Sequence, residues 1–204
     1  MTTENIAYRI CGASLFCVLV LTVWITAAPD QMRRIIQHTG ILAVILLVAA
    51  TLVSPIQNMV SDKNLKAAAP ALRRCLGVSA TVTAVIHLGF IAFSGYVTNA
   101  VVLLSEPQFR NGTAGLVTLL VLSLSSFSRT RRLFRLKEWK SLHRLIYVAL
   151  PLIFLHWLSS PGYSALDRWG VLFLATGLIG LRLISVIKTL LGSAAASKQQ
   201  HEEY

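Results

Sequence analysis

The chain has 204 residues, of which 55% are hydrophobic and only 13% are charged, and its mean hydropathy is +0.66. Soluble domains carry about twice that share of charged residues, so the composition excludes an ordinary soluble protein and indicates a polytopic membrane protein. The formal net charge of +11 is concentrated between the apolar runs, which is typical of membrane topology rather than of nucleic-acid binding.

Six apolar segments of about 16 to 22 residues are candidates to cross a membrane as helices. In chain order they cover roughly residues 8–28, 37–56, 72–93, 112–127, 142–158 and 169–187. The first ends in Thr26-Ala27-Ala28 like a signal peptide, but it is longer than a signal-peptide core, so we interpret it as a membrane helix. We therefore predict an all-α membrane protein with one domain of six transmembrane helices over residues 1–192. Residues 193–204 are predicted to form a disordered cytoplasmic tail.

The cysteines and the closely spaced glycines have structural interpretations. No two of the three cysteines form a C-x-x-C pair, so neither a zinc site nor a redox dithiol is indicated, and we expect buried thiols at Cys11, Cys17 and Cys75. Two glycine pairs favour close helix packing: Gly112 with Gly115, and Gly177 with Gly180.

The basic residues indicate the orientation of the chain. If the six spans alternate in direction, 15 of the 19 Lys and Arg residues fall on one side of the membrane. The positive-inside rule assigns that side to the cytoplasm and places both termini there. The most basic connection, residues 129–140, is interpreted as a cytoplasmic loop that could also dock an acidic partner.

Histidines within the spans are the first candidate functional residues, because ionisable side chains are costly inside a membrane. At 1.5 Å per residue, His87 in the third span lies about 20 Å above the inner face, and His156 in the fifth span lies about 24 Å above it. Two imidazoles at matching depth on different helices favour ligation of one haem iron from both sides. His38 begins the second span near the same outer level.

The inner half of the membrane presents a different set of residues. His143 lies only about 5 Å above the inner face, and the third span carries Arg73 and Arg74 near that level. Arginine does not ligate iron, but it pairs well with propionates and phosphates. The 13-residue separation of His143 and His156 rotates a regular helix by about 220°, so the two rings should face differently unless Pro151 bends the helix. For His143 and His38, a contact with a lipid headgroup or the backbone explains the residue as well as cofactor binding does.

Three short segments together carry a resemblance to a known family: I-Q-H-T-G at 36–40, R-R-C-L-G at 73–77 and W-K-S-L-H-R-L-I-Y at 139–147. Over roughly residues 35–190 the chain resembles the ferric-reductase-type transmembrane domain family. Within that family it is similar to the haem-binding membrane subunits of bacterial periplasmic methionine sulfoxide reductase systems. The resemblance implies six helices that bind haem b between the third and fifth helices. His87 and His156 match the family's haem-ligand positions, and His143 matches a further family histidine.

The resemblance also implies partners, a location and a second cofactor. In such proteins a separate cytoplasmic flavin reductase supplies electrons, and a molybdenum-containing reductase in the periplasm receives them across the bacterial inner membrane. Larger relatives, the NADPH oxidases and ferric reductases, carry two histidines on the third helix and two on the fifth. This chain departs from that pattern, because Arg73 and Arg74 stand near the inner position of the third helix. One haem b is implied at the outer site, and a haem with another axial ligand or a flavin, FMN or FAD, at the inner site.

We interpret the chain as a transmembrane electron-transfer subunit in contact with membrane lipid and not with nucleic acid. One alternative is a stand-alone metalloreductase that reduces ferric or cupric ions at the outer face. Another is a cytochrome b561-like quinol oxidoreductase, which normally needs two complete histidine pairs. A third is a small transporter or scaffold with packing histidines, which would bind no chromophore.

Overall fold

The computed structural model describes residues 31–59, 63–95, 99–127, 130 and 132–161, together with separate positions between 169 and 187. Within these ranges all regular structure is helical. The helices are α1 (Gln31–Met59), α2 (Lys63–Phe93), α3 (Ala100–Ser105), α4 (Pro107–Ser125), α5 (Leu136–His143) and α6 (Ile146–Ser159). The described positions from 169 to 187 are also helical. The all-α prediction is therefore confirmed for the described part of the chain.

Three described stretches are long and apolar enough to cross a membrane: Gln31–Met59, Lys66–Phe93 and Lys137–Ser159. They contain the second, third and fifth predicted spans, and they identify the chain as a membrane protein. The fourth predicted span lies in α4, whose first turns are made polar by Gln108, Arg110 and Asn111. The first predicted span, Cys11, Cys17 and the tail at 193–204 lie outside the described residues, so the complete six-helix bundle stays a prediction.

Local chemistry explains where three of the helices begin. The side chain of Asn99 accepts a hydrogen bond from the Val102 amide at the start of α3 (3.1 Å). Proline occupies the first position of α4, where no backbone donor is needed. At the start of α5 the Arg135 amide donates to the carboxylate of Glu138 (3.0 Å), which also places a negative charge in the first turn.

Helices α1 and α2 pack antiparallel, with polar contacts between them near both ends. Near the start of α1, Thr39 Oγ1 lies 3.2 Å from His87 Nδ1. Near its end, Arg73 Nη1 donates to Ser54 Oγ (2.9 Å). The two contacts are about 22 Å apart along the helix axis, since the residues on α1 are 15 positions apart. This register places His87 near one end and Arg73 near the other end of the same helix pair.

Helix α4 packs antiparallel against α5 and α6 through small residues. A Cβ atom at Gly115 would lie 2.8 Å from the Ile153 side chain, so only glycine permits this closeness of α4 and α6. At the other end Trp139 Nε1 donates to the Ser125 carbonyl (3.2 Å). The predicted packing role is therefore observed for Gly115, whereas Gly112 contacts a histidine ring.

The connection between α5 and α6 is wound more tightly than an α-helix. Backbone amides at Arg144, Leu145 and Tyr147 donate to carbonyls three residues earlier (3.0 Å each). Such 3₁₀ winding turns the chain by about 120° per residue instead of 100°, so it reduces the angle between His143 and His156 relative to a regular helix. Pro151, the residue considered for a bend, lies inside α6, and the tightened winding precedes it.

Candidate functional site

The rings of His87 and His156 face each other between α2 and α6. Their centroids are 6.3 Å apart and their planes are inclined at 75°. Both residues line a cavity, here called the outer slot, whose walls are apolar side chains of α1, α2, α4 and α6. The matched depth expected from the sequence therefore corresponds to direct proximity in the structure.

The Nδ1 atom of His87 is bound to the first turns of α1. It lies 2.9 Å from the Ile36 carbonyl oxygen and 3.2 Å from Thr39 Oγ1. A carbonyl oxygen only accepts hydrogen bonds, so Nδ1 must carry the proton of the neutral ring. Nε2 then holds the lone pair.

His156 has the same arrangement on the opposite side of the slot. Its Nδ1 donates to the Gln108 carbonyl at 2.6 Å, so its Nε2 also holds a lone pair. Neither Nε2 atom has a hydrogen-bond partner among the described residues. Donation of the other ring N–H to a backbone carbonyl is the usual way in which metal-ligating histidines are oriented.

The spacing of the rings fits a single metal ion between them. A metal–imidazole bond is about 2 Å long and the ring centre lies about 1 Å behind the nitrogen, so two axial imidazoles have centres about 6 Å apart. The observed 6.3 Å agrees with that distance. Within the described residues no cluster of three or more His, Cys, Asp or Glu side chains could hold a metal ion. The two-histidine donor set and the apolar walls therefore fit a haem, whose porphyrin supplies the remaining iron ligands.

Two glycines make room for the histidine rings. A Cβ atom at Gly40 would lie 3.0 Å from Cε1 of His87, and one at Gly112 would lie 2.8 Å from Nδ1 of His156. Each ring thus rests against the bare backbone of a neighbouring helix. Sequence reasoning assigned Gly112 to helix packing and did not single out Gly40, although Gly40 ends the I-Q-H-T-G segment.

A second cavity, here called the inner cavity, opens towards the other side of the bundle and has a volume of about 530 Å³. Arg73, Arg74 and His143 line it, so the structure brings these three predicted residues together. Arg144 and Trp139 line it as well and were not predicted, although both lie beside His143 in the sequence segment 139–147.

His143 is held by contacts with both neighbouring helices. Its Nδ1 donates to the Trp139 carbonyl (3.1 Å) and its Nε2 lies 3.3 Å from Ser126 Oγ. Its ring packs on the Trp139 ring with centroids 4.0 Å apart. His38, in contrast, is exposed, contacts the carbonyl of Arg34 through Nδ1 (2.7 Å), and lines neither cavity.

The charge of the inner cavity is unbalanced. Three guanidinium groups line it, and the acidic residues of the described ranges, Glu106 and Glu138, line neither cavity. Arginine clusters of this kind bind carboxylates and phosphates. The inner cavity is therefore suited to an anionic group, and the outer slot is suited to an apolar one.

The comparison with known protein families identifies the family of this chain. The family described as "Ferric reductase like transmembrane component" matches residues 39–154. The chain belongs to this family. The match begins at Thr39 in α1 and ends two residues before His156 in α6, so it covers the helices that build both cavities. The resemblance expected from the three short segments is confirmed.

One relative is the "Protein-methionine-sulfoxide reductase heme-binding subunit MsrQ" of Cronobacter sakazakii. It is 29% identical to this chain over an alignment 172 residues long, which covers 78% of this chain and 83% of the relative. The similarity thus extends along most of both proteins.

Proposed function

We propose that this chain is a transmembrane electron-transfer subunit that holds one haem b between His87 and His156. The proposal rests on the position of the two rings, whose centroids are 6.3 Å apart. In each ring Nδ1 donates to a backbone carbonyl. The similarity to a haem-binding subunit supports it. When bound, the haem supplies reversible one-electron chemistry.

The residues around the slot have defined tasks in this function. The carbonyls of Ile36 and Gln108 hold the rings in one tautomer and one orientation. Apolar side chains such as Val44, Leu88 and Leu116 line the slot and limit the entry of water. A dry, low-dielectric surrounding sets the potential at which the group accepts an electron.

A second cofactor is proposed for the inner cavity. Ser126, which contacts His143, lies about 21 Å along α4 from Gly112, which contacts His156, so one haem in the outer slot leaves much of the membrane uncrossed. The arginines of the inner cavity fit the propionates of a second haem or the phosphate of a flavin such as FMN or FAD. His143 lines this cavity and is the proposed iron ligand there, with its Nε2 exchanging the contact with Ser126 Oγ for the metal.

The proposed direction of electron flow is from the cytoplasm to the periplasm of a bacterial inner membrane. Exposed basic side chains at the inner end, among them Arg132, Arg135 and Lys137, favour a cytoplasmic location for the inner cavity and for the chain termini. The same 129–140 loop is proposed to dock a cytoplasmic flavin reductase. The proposed acceptor is a molybdenum-containing periplasmic reductase that repairs methionine sulfoxide.

The deciding experiment is a dithionite-reduced minus oxidised visible spectrum of the purified full-length protein, with haem and extracted flavin quantified per chain. A b-type α-band with one haem per chain supports haem binding at the outer site. Flavin in the same sample would assign the inner cavity to flavin. Two haems and no flavin would assign the inner cavity to haem. Absence of haem after expression with adequate haem supply would overturn the electron-transfer function.

A further inference from the structure

We propose that Thr39 is a positioning residue for His87, whose hydroxyl group fixes the rotation of the imidazole ring and adjusts how strongly that ring donates to the haem iron. This inference rests on the proposed role of His87 as an axial ligand. It concerns a residue on α1 that ligates nothing itself.

The hydroxyl of Thr39 is oriented by its own helix. Thr39 is 1% exposed, and its Oγ1 lies 2.7 Å from the carbonyl oxygen of Ile35 and 3.0 Å from that of Ile36. Both neighbours are acceptors, so the hydroxyl proton points towards them. A lone pair of Oγ1 is then left for the Nδ1–H of His87 at 3.2 Å.

The Nδ1–H of His87 is therefore shared between two acceptors, the Ile36 carbonyl at 2.9 Å and Thr39 Oγ1. The next residue, Gly40, leaves the ring room to approach, since a Cβ there would lie 3.0 Å from Cε1. One turn of α1 thus provides a carbonyl, a hydroxyl and a bare backbone position to a single ring.

A helical threonine whose hydroxyl donates a hydrogen bond to a carbonyl of its own helix is common, and that bond by itself indicates no functional role. Thr83 in α2 shows the ordinary case, because it is 0% exposed and, within the described ranges, its Oγ1 contacts just the carbonyl of Ser79 (2.8 Å). Thr39 differs because its oxygen also contacts a histidine ring on another helix. Thr83 is consequently a matched control for the burial and size of a threonine side chain.

The two proposed axial ligands are not equivalent. Among the described residues, His156 has one acceptor for Nδ1, the Gln108 carbonyl, whereas His87 has two. Only the Thr39 hydroxyl among these acceptors belongs to a side chain, so it is the one that a substitution can remove. A stronger acceptor set on Nδ1–H makes an imidazole a stronger donor through Nε2, which favours ferric over ferrous iron and lowers the midpoint potential.

The test uses the full-length haem-loaded protein and three variants: Thr39→Val, Thr39→Ser and Thr83→Val. The measurements are the haem midpoint potential and the low-spin ferric electron paramagnetic resonance signal, which depends on the angle between the axial ring planes. We expect Thr39→Val to shift the potential to a more positive value and to change the resonance signal. Thr39→Ser, which keeps the hydroxyl, should restore both towards the wild type, and Thr83→Val should change neither.

The proposal is overturned if Thr39→Val keeps the wild-type potential and resonance signal at full haem occupancy, or if Thr83→Val shifts them equally. If Thr39→Val loses haem, the haem content of Thr39→Ser distinguishes a role of the hydroxyl contact from a role in packing. Retention of haem with serine supports the hydroxyl contact, whereas its loss assigns the effect to packing and rejects the proposal. Failure of the underlying function is distinct, because it would appear as wild-type protein without haem or as His87→Ala protein with an unaltered spectrum.

Discussion

Leu47 of α1 and Leu119 of α4 each line both cavities and together separate the outer slot from the inner cavity. They are 3% and 5% exposed and pack with Leu46, Ala80 and Ala149 in the centre of the bundle. Side chains of four helices thus meet at this one level. The apolar partition keeps the two proposed cofactors in different surroundings, one apolar and one cationic.

Replacing Leu47 with Ala should lower the stability of the bundle. Truncation of a buried leucine leaves a cavity, which costs about 2 to 5 kcal/mol in soluble proteins, and the lost packing contacts apply in a membrane as well. Thermal unfolding in detergent measures the effect. Ile45→Ala on the same helix is the control, since Ile45 is 52% exposed and should change stability little. Equal destabilisation by both variants would contradict the central packing role of Leu47.

His87→Ala and His156→Ala should each remove most of the haem, because each takes away one of two axial nitrogens. Haem per chain and the reduced α-band are the measurements. His38→Ala serves as the matched histidine control, since this residue is exposed and lines neither cavity. Full haem retention in both single variants would refute the ligand assignment, and haem loss in the His38 variant would place His38 at a cofactor.

Gly112→Ala should lower haem occupancy without removing a ligand. The added methyl group would lie 2.8 Å from Nδ1 of His156, so the ring must move and its hydrogen bond to Gln108 must lengthen. Gly89→Ala is the control, because a Cβ there meets nothing within 4 Å and alanine is favoured over glycine in a helix. Equal haem content in the two variants would show that the close approach at Gly112 is not needed.

Arg73→Ala and Arg74→Ala should weaken retention of the inner cofactor and spare the outer haem. The two guanidinium groups line only the inner cavity, about 20 Å along α2 from His87. Flavin and haem extracted per chain measure retention, and Arg110→Ala at the outer end is the control. Loss of the outer haem in the Arg74 variant would mean that the two cavities are not independent.

Pro151→Ala should leave the cofactor content and visible spectrum unchanged. Pro151 is exposed and lies within α6, while the 3₁₀ winding that orients His143 and His156 occurs at Arg144 and Leu145. The spectrum of the purified variant is the measurement. A changed spectrum would show that Pro151 takes part in orienting the two histidines.

Several features could be predicted because they depend on residue type and position along the chain. Hydropathy located the second, third and fifth spans, which the structure describes as helices. The rise per residue placed His87 and His156 at matching depth, and these rings are neighbours. The same reasoning placed Arg73 and Arg74 near His143, and all three line one cavity. Depth is predictable because a regular helix advances by a constant amount.

The orientation of side chains could not be predicted in this way. His38 matched His87 in depth but is exposed and does not line the slot, and the 3₁₀ winding at Arg144 and Leu145 was not foreseen. Small changes in winding turn a face through tens of degrees without changing depth.

The sequence by itself determined that this is a helical membrane protein, which connections are basic and at what height along its helix each histidine lies, because composition and helix rise settle these properties. Only the tertiary structure decided which nitrogen of each histidine binds the backbone, why glycine is needed at two ring contacts and that Leu47 and Leu119 divide the interior. These features depend on atoms of residues far apart in the chain, such as His156 and Gln108, and therefore on how the helices rotate and pack.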